Sequence, residues 1–311
     1  MTGEELHHLE NVLTEKINRI NPVILKNYPV GELLTLFDHQ SAIEEYSYVN
    51  KKVAAFDEAL IQETRAHRHV IGIYYNLVLL SCIRNSREKI VNLQYPQPVL
   101  DEFERRFDRI LKKTAAWSDD FVYHPLKDDK YLKSLAICRL HTIPLGAQYI
   151  ERGNLSRIFL FLHGIPQLIR GFWYVTRLGG FSPYYKMSTN QLDPELIANF
   201  NPAGWEKLLL LAGELMKKER SVKGIIGRSW FFDPQLEIID QDIVYIRHLF
   251  IQAGAVFFYH KAEPQVIKDA IFLNQKRKRL YEEKKYHPRS YLVILPRKKL
   301  LHYVEQVKKK V

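Results

Sequence analysis

The apolar positions of this chain change rhythm near Pro144: before it they recur every three or four residues, and after it they gather in short unbroken runs. Thr2 and Glu5 have capping-box spacing ahead of Leu6, Leu9, Leu13, Ile17 and Ile20, which predicts an amphipathic helix. Residues 41–84 hold a seven-residue beat, with Tyr46, Val53, Leu60, His67 and Tyr74 on one row and Val49, Phe56, Glu63, Val70 and Leu77 on the next. That beat predicts one long helix, or two with a break near Gly72. Two further stripes follow, one from Val99 through Phe103 and Phe107 to Leu111 after the breakers Pro96 and Pro98, the other through Tyr131, Leu132, Leu135 and Cys138.

After Pro144 the runs LSRIFLFLHGIP, RGFWYVTRLGGFSPYYKM, GIIGRSWFF, AVFFYH and SYLVILP carry strand signals, and DIVYIRHLF, within residues 239–250, fits either a helix or a strand. Two helical patterns interrupt them, one starting at Asn201 and Pro202 with Trp205, Leu208, Leu209, Ala212, Leu215 and Met216 on one face, the other starting at Pro264. This order predicts an α+β protein: an N-terminal helical layer, residues 1–142, packed on a C-terminal mixed α/β sheet domain, residues 143–311. Residues 155–177, apolar but framed by Arg157, Arg170 and Arg177, suit either a membrane surface or a buried element. The Gly164-Ile165-Pro166 break favours core or a domain interface.

Composition adds bounds. At 311 residues and 46% hydrophobic, the chain can bury a core and is long enough for two domains. Its net charge of +11 is concentrated: the last 36 residues hold 13 Lys or Arg against Glu282, Glu283 and Glu305. Tyr281, Tyr286, Tyr291 and Leu295 are interleaved with those charges, so the basic end is expected to fold and to favour an anionic partner. Cys82 and Cys138 each lie in an apolar stretch and read as buried thiols, which fits a reducing cytoplasmic compartment. No secretory signal and no run of roughly 20 apolar residues is present, so any membrane association is expected to be peripheral.

The densest candidate chemistry lies in residues 224–247, where an apolar strand ends in Arg228, Ser229 and Trp230 before Asp233-Pro234, with Arg247 downstream. Ligand sites of α/β sheets gather at such strand ends, although Asp-Pro is also ordinary turn chemistry. A second cluster, residues 276–299, offers Arg277 and Arg279 as phosphate ligands beside Tyr281, or a plain solvated basic face. Glu63 and His67 have the i, i+4 spacing of helical metal ligands. A metal needs at least three ligands and no second helix supplies a matching pair, so they are read as structural and no metal is expected.

The blocks GRSWFFDPQLEIIDQDIVYIR, Asn201-Pro202-Ala203-Gly204-Trp205 and RKRLYEEKKYHPRSYLVILPR resemble a bacterial family that shares a Ser-Trp-Phe-x-Asp-Pro block and an Arg-x-Leu-Tyr-Glu-Glu block. Its members often carry His where this chain has Ser188, Thr189 and Asn190, which implies that any function of those His is altered here. The C-terminal half is also similar to GNAT acyltransferases in its strand, helix, strand, helix with a Leu-Tyr pair, and final strand. That similarity implies an acyl-coenzyme A donor and assigns to Tyr281 the protonation of the leaving thiolate. The glycine-rich pyrophosphate loop of that family is missing: FFDPQLEIID stands in the expected place.

Two functions follow from these residues. One is an N-acyltransferase-like enzyme in which Asp233 is the general base, Tyr281 the general acid, and Arg228, Ser229, Trp230, Arg247, Arg277 and Arg279 bind the donor or acceptor. The other is a non-enzymatic binding or adaptor protein whose basic end meets nucleic acid or acidic lipid; no recognised nucleic-acid motif supports specific reading of a sequence.

Overall fold

The chain, described in a computed structural model over residues 2–38, 50–116, 125–188, 193–272 and 274–309, divides into two units, Met1–Pro144 and Leu145–Val311. The first holds helices α1 (Gly3–Ile20), α2 (Ile24–Asn27), α3 (Val30–Asp38), α4 (Lys51–Glu63), α5 (His69–Asn92), α6 (Gln97–Ala115) and α7 (Asp129–Cys138). Thr2 and Glu5 form the capping box that their spacing predicts. Almost every residue from Val70 to Ile83 is buried, because α5 runs through the middle of the unit with α1, α3, α6 and α7 against it. Three of its polar side chains are paired: Tyr75 donates to Asp57 at 2.7 Å, and Glu10 accepts from Ser81 at 3.2 Å and from Arg84 at 2.6 Å. Both thiols, Cys82 and Cys138, are buried, and no disulfide joins them.

The heptad stripe breaks elsewhere than expected. α4 ends at Glu63 and α5 begins at His69, whereas Gly72 lies buried inside α5. His67 sits in the intervening turn, so helical i, i+4 geometry does not join it to Glu63. Among the described residues, no three His, Cys, Asp or Glu side chains come together as metal ligands. Tyr46 and Val49 lie outside the described residues.

The second unit carries a sheet of six strands, its first straddling the boundary: β1 (Thr142–Leu145), β2 (Gln148–Gly153), β3 (Tyr184–Ser188), β4 (Gly224–Ser229), β5 (Val256–Lys261) and β6 (Ser290–Pro296), in the order β1-β2-β3-β4-β6-β5. Between them lie α8 (Gly164–Arg177), α9 (Pro194–Ala198), α10 (Pro202–Lys218), α11 (Leu236–Ile239), α12 (Gln241–Gln252), α13 (Pro264–Ile271) and α14 (Gln275–Glu282), and α15 (Arg297–Lys308) closes the chain. The sheet is mixed: β3 and β4 run parallel, while β2–β3, β4–β6 and β5–β6 are antiparallel. The chain is thus a mixed α/β protein with helices ahead of the sheet.

Alternation along the strands gives the sheet two apolar faces. Ile226, Phe258, Leu292 and Ile294 form one core with Phe159, Leu160 and Val175. Ile225, Val293 and Leu295 fall on the other face, where α15 packs against β4 and β6 and in turn against α10. The run LSRIFLFLHGIP and the first part of RGFWYVTRLGGFSPYYKM are helical instead, while the YYKM end of the latter forms β3 as expected. Residues 157–161 form a 3-10 turn and Gly164–Arg177 forms α8, because Gly164 adopts a positive φ of 72° and Pro166 fits a first helical turn. The ambiguous run 239–250 resolves into α12. The basic end is folded as α14, β6 and α15.

Candidate functional site at the strand ends

The carboxyl end of β4 leads into a tight turn whose residues serve mainly to hold one another. Ser229 accepts a hydrogen bond from the Phe231 amide at 3.2 Å and so opens the 3-10 turn Trp230–Phe232. Asp233 follows, with no exposed surface; one carboxylate oxygen accepts from the Gln235 amide at 3.0 Å and the other from the Arg289 amide at 2.9 Å. It clasps the loop after β4 to the loop before β6. Burial lifts its carboxyl above the ordinary range, against the lowering effect of those two amides. Arg247 is equally committed: it donates to Phe232 O at 3.0 Å and to Glu237 at 3.1 Å, with its guanidinium 4.5 Å from the centre of the Phe257 ring.

The basic end is partly interior. Arg277, expected as a phosphate ligand, is buried; it donates to Asp240 and to the Ala270 carbonyl, each at 2.5 Å, and lies 4.5 Å from the centre of the Trp230 ring. This corrects the solvated-face reading for that residue, since all of its recognition is directed inward. Arg279 keeps 71% of its side chain exposed and has only Glu283, at 3.7 Å, as an ion-pair partner. Tyr281 is half-buried, with the His287 ring 6.2 Å away. Beyond it Tyr286 is buried among Asp233, Arg277 and Asp240, and its hydroxyl has no hydrogen-bond partner among the described residues. Burial and the Asp233 carboxylate push that phenol's pKa up.

The structure joins Arg228 to residues that the pattern of the sequence did not single out. Arg228, exposed at the end of β4, donates to Nε2 of His260 at 3.4 Å; Nδ1 of His260 lies 3.4 Å from Ser290 Oγ, which donates to the Lys261 carbonyl at 3.0 Å. Arginine can only donate, so Nε2 accepts and the proton of the neutral ring is on Nδ1, pointing to Ser290. The relay is buried at His260 and Ser290, and the irregular register of β5 around His260 turns the imidazole toward β4. Burial, reinforced by Arg228 and Lys261, pulls the His260 pKa down to about 4. The ring is therefore neutral at neutral pH. The one legible trace of it was a His closing the apolar run AVFFYH.

The parallel pair is short. Its ladder sets Tyr185 opposite Ile225 and Lys186 opposite Ile226 only, while β3 runs on to Ser188 against β2 and β4 runs on to Ser229 against β6. Just past the paired positions, Gly227 has no side chain and the Met187 methyl takes the space: a Cβ there would stand 2.2 Å from Met187 Cε. The first strand of the pair ends at Ser188 and α9 begins at Pro194; residues 189–192, Thr189 and Asn190 among them, lie outside the described residues.

Two outcomes are expected from these contacts. Arg277→Ala, which strands the buried Asp240 carboxylate, should lower the unfolding free energy in urea by about 3–5 kcal/mol, whereas the exposed Arg279→Ala should change it by less than about 0.5 kcal/mol. His260 titrates lower in the fold than in an unfolded chain, where its pKa is about 6.5. Its contribution to stability is therefore complete above that value and is lost as the pH falls toward about 4. The wild type should lose more unfolding free energy across this window than His260→Asn, and equal losses would contradict the buried neutral imidazole.

No protein-family model matches the sequence, and no curated protein matches it. Solved structures of similar shape include an acyltransferase in complex with CoA and 10C-teicoplanin, at 12% identity and a TM-score of 0.42, with 86% of this chain and 88% of the other covered. Another is an acyltransferase in complex with decanoyl-CoA, at 11% identity and a TM-score of 0.42, with 71% of this chain and 65% of that chain covered, just under two thirds of its length.

Proposed function

We propose that the protein is an acyltransferase-like enzyme that takes an acyl-coenzyme A donor where the β3–β4 ladder ends and passes the acyl group to an acceptor nitrogen. The observation that carries this reading is the parallel pair whose ladder ends after two register positions, on the strand that also bears an exposed Arg hydrogen-bonded to a neutral His. Strands whose ladder ends leave peptide groups on their facing edges, and an extended, amide-bearing arm such as pantetheine can hydrogen-bond to them as a further strand would. Ligands of α/β sheets bind outside the carboxyl ends of parallel strands for the same topological reason.

In this reading Arg228 contributes a cation to a donor phosphate or to the thioester oxygen, which withdraws it from His260. Nε2 of His260, an acceptor at neutral pH, then takes the proton of the attacking nitrogen. Asp233 becomes the positioning residue of the site, since both of its oxygens are engaged by loop amides. Tyr281 keeps the role that the GNAT resemblance implies, proton donor to the departing thiolate.

Acetyl-coenzyme A at about a hundredfold excess over its Kd should stabilise the protein by about 2.7 kcal/mol in thermal unfolding, and Arg228→Gln should reduce that gain at equal ligand concentration. Tyr281→Phe should leave the gain intact and slow coenzyme A release in the presence of amine acceptors by about 10²-fold. A melting curve that acetyl-coenzyme A does not move would refute the reading.

A further inference from the structure

We infer that the outward face of α8 and the turn before it form a peripheral docking surface for a bilayer with acidic headgroups. Scattered exposed apolar residues are ordinary, but here Ile158, Phe161, Ile165, Ile169, Phe172 and Trp173 are each 56–70% exposed in one stretch of sixteen residues. The spacing of Ile165, Ile169, Phe172 and Trp173 is i, i+4, i+7 and i+8, which lines them along one side of the helix. The opposite side, with Gln167, Gly171 and Val175, is buried. Gly171 seats α8 on the preceding turn: a Cβ there would stand 2.6 Å from Leu160 and 3.0 Å from Phe159. The apolar stripe is thus presented by a fixed helix rather than a loose segment.

Charge identifies what covers it. Between Glu151 and Asp193 the chain contains no Asp or Glu, yet Arg157, Arg170 and Arg177 are all exposed around the stripe. Rings hold their guanidinium groups in place: Arg157 lies 5.3 Å from the centre of Phe181, Arg170 5.1 Å from that of Phe258, and Arg177 4.6 Å from that of Trp173. A second copy of the chain docking by a two-fold axis would set this acid-free segment against itself, Arg toward Arg with no carboxylate of its own to pair them. An acidic bilayer meets both requirements at once, apolar chains for the Ile and Phe side chains and phosphates for the arginines. Trp173, an amphipathic ring beside Arg177, suits the headgroup level of such an interface. The stripe is also a convex ridge, which a fluid surface receives without a preformed groove.

The test is co-sedimentation with phosphatidylcholine vesicles and with vesicles of phosphatidylcholine and phosphatidylglycerol in equal parts. The wild type should partition onto the mixed vesicles. Combined Ile165→Ser, Ile169→Ser and Phe172→Ser should weaken this by at least about tenfold while leaving the melting temperature unchanged, because all three side chains face solvent. Combined Arg157→Gln, Arg170→Gln and Arg177→Gln should abolish the preference for the mixed vesicles. Vesicle binding that survives the three Ser substitutions would place the contact elsewhere, on the basic C-terminal end, and overturn the inference. So would a wild type that stays in the supernatant, whether as a monomer or as a dimer that the Ser substitutions dissociate. Each of these outcomes leaves the response to acetyl-coenzyme A untouched, so the two readings fail separately.

Discussion

β4 is the strand on which the rest of the second unit depends. On one edge it pairs antiparallel with β6 along its whole length, and on the other it pairs in parallel with β3 over two positions. Parallel strands cannot be joined by a hairpin, so the chain must cross over, and residues 189–223 with α10 are that crossover. The parallel ladder ends after two positions, while the antiparallel pairings β4–β6 and β5–β6 carry Arg228 to His260 on the other side.

What holds the loops at this end is a set of buried polar groups, each of which would be costly alone. Asp233 joins two loops through backbone amides, and Arg277 joins α14 to Asp240, to the end of α13 and to the Trp230 ring. A chain with net charge +11 thereby spends one of its cations as an internal brace. The Tyr286 hydroxyl in the same cluster stays without a hydrogen-bond partner among the described residues, close to the clasped carboxylate.

The pattern of the sequence carried the helical first unit, the change of rhythm at Pro144 and the strands at GIIGRS, VFFYHK and SYLVILP, because apolar positions recur every three or four residues in helices and gather in short unbroken runs where a sheet has two apolar faces. It misplaced the break between α4 and α5, since an apolar row continues through a turn as readily as through a helix. It read residues 155–177 as strands because a helix that is apolar on both its buried and its exposed sides has no contrast to show. It named Arg228 but not its partners: His260 and Ser290 are remote in sequence, and an irregular strand register brings them together. Arg277 looked like its exposed neighbours, as charge runs do not reveal which member turns inward.

The proposed donor site lies where the β3–β4 ladder ends. Amide hydrogen exchange with and without coenzyme A tests it most directly, because a ligand strand lying there must shield the peptide groups beside it. The account predicts slowed exchange at residues 187–188 and 227–229. Unchanged exchange there, with protection confined to residues 276–285 of the basic end, would contradict it.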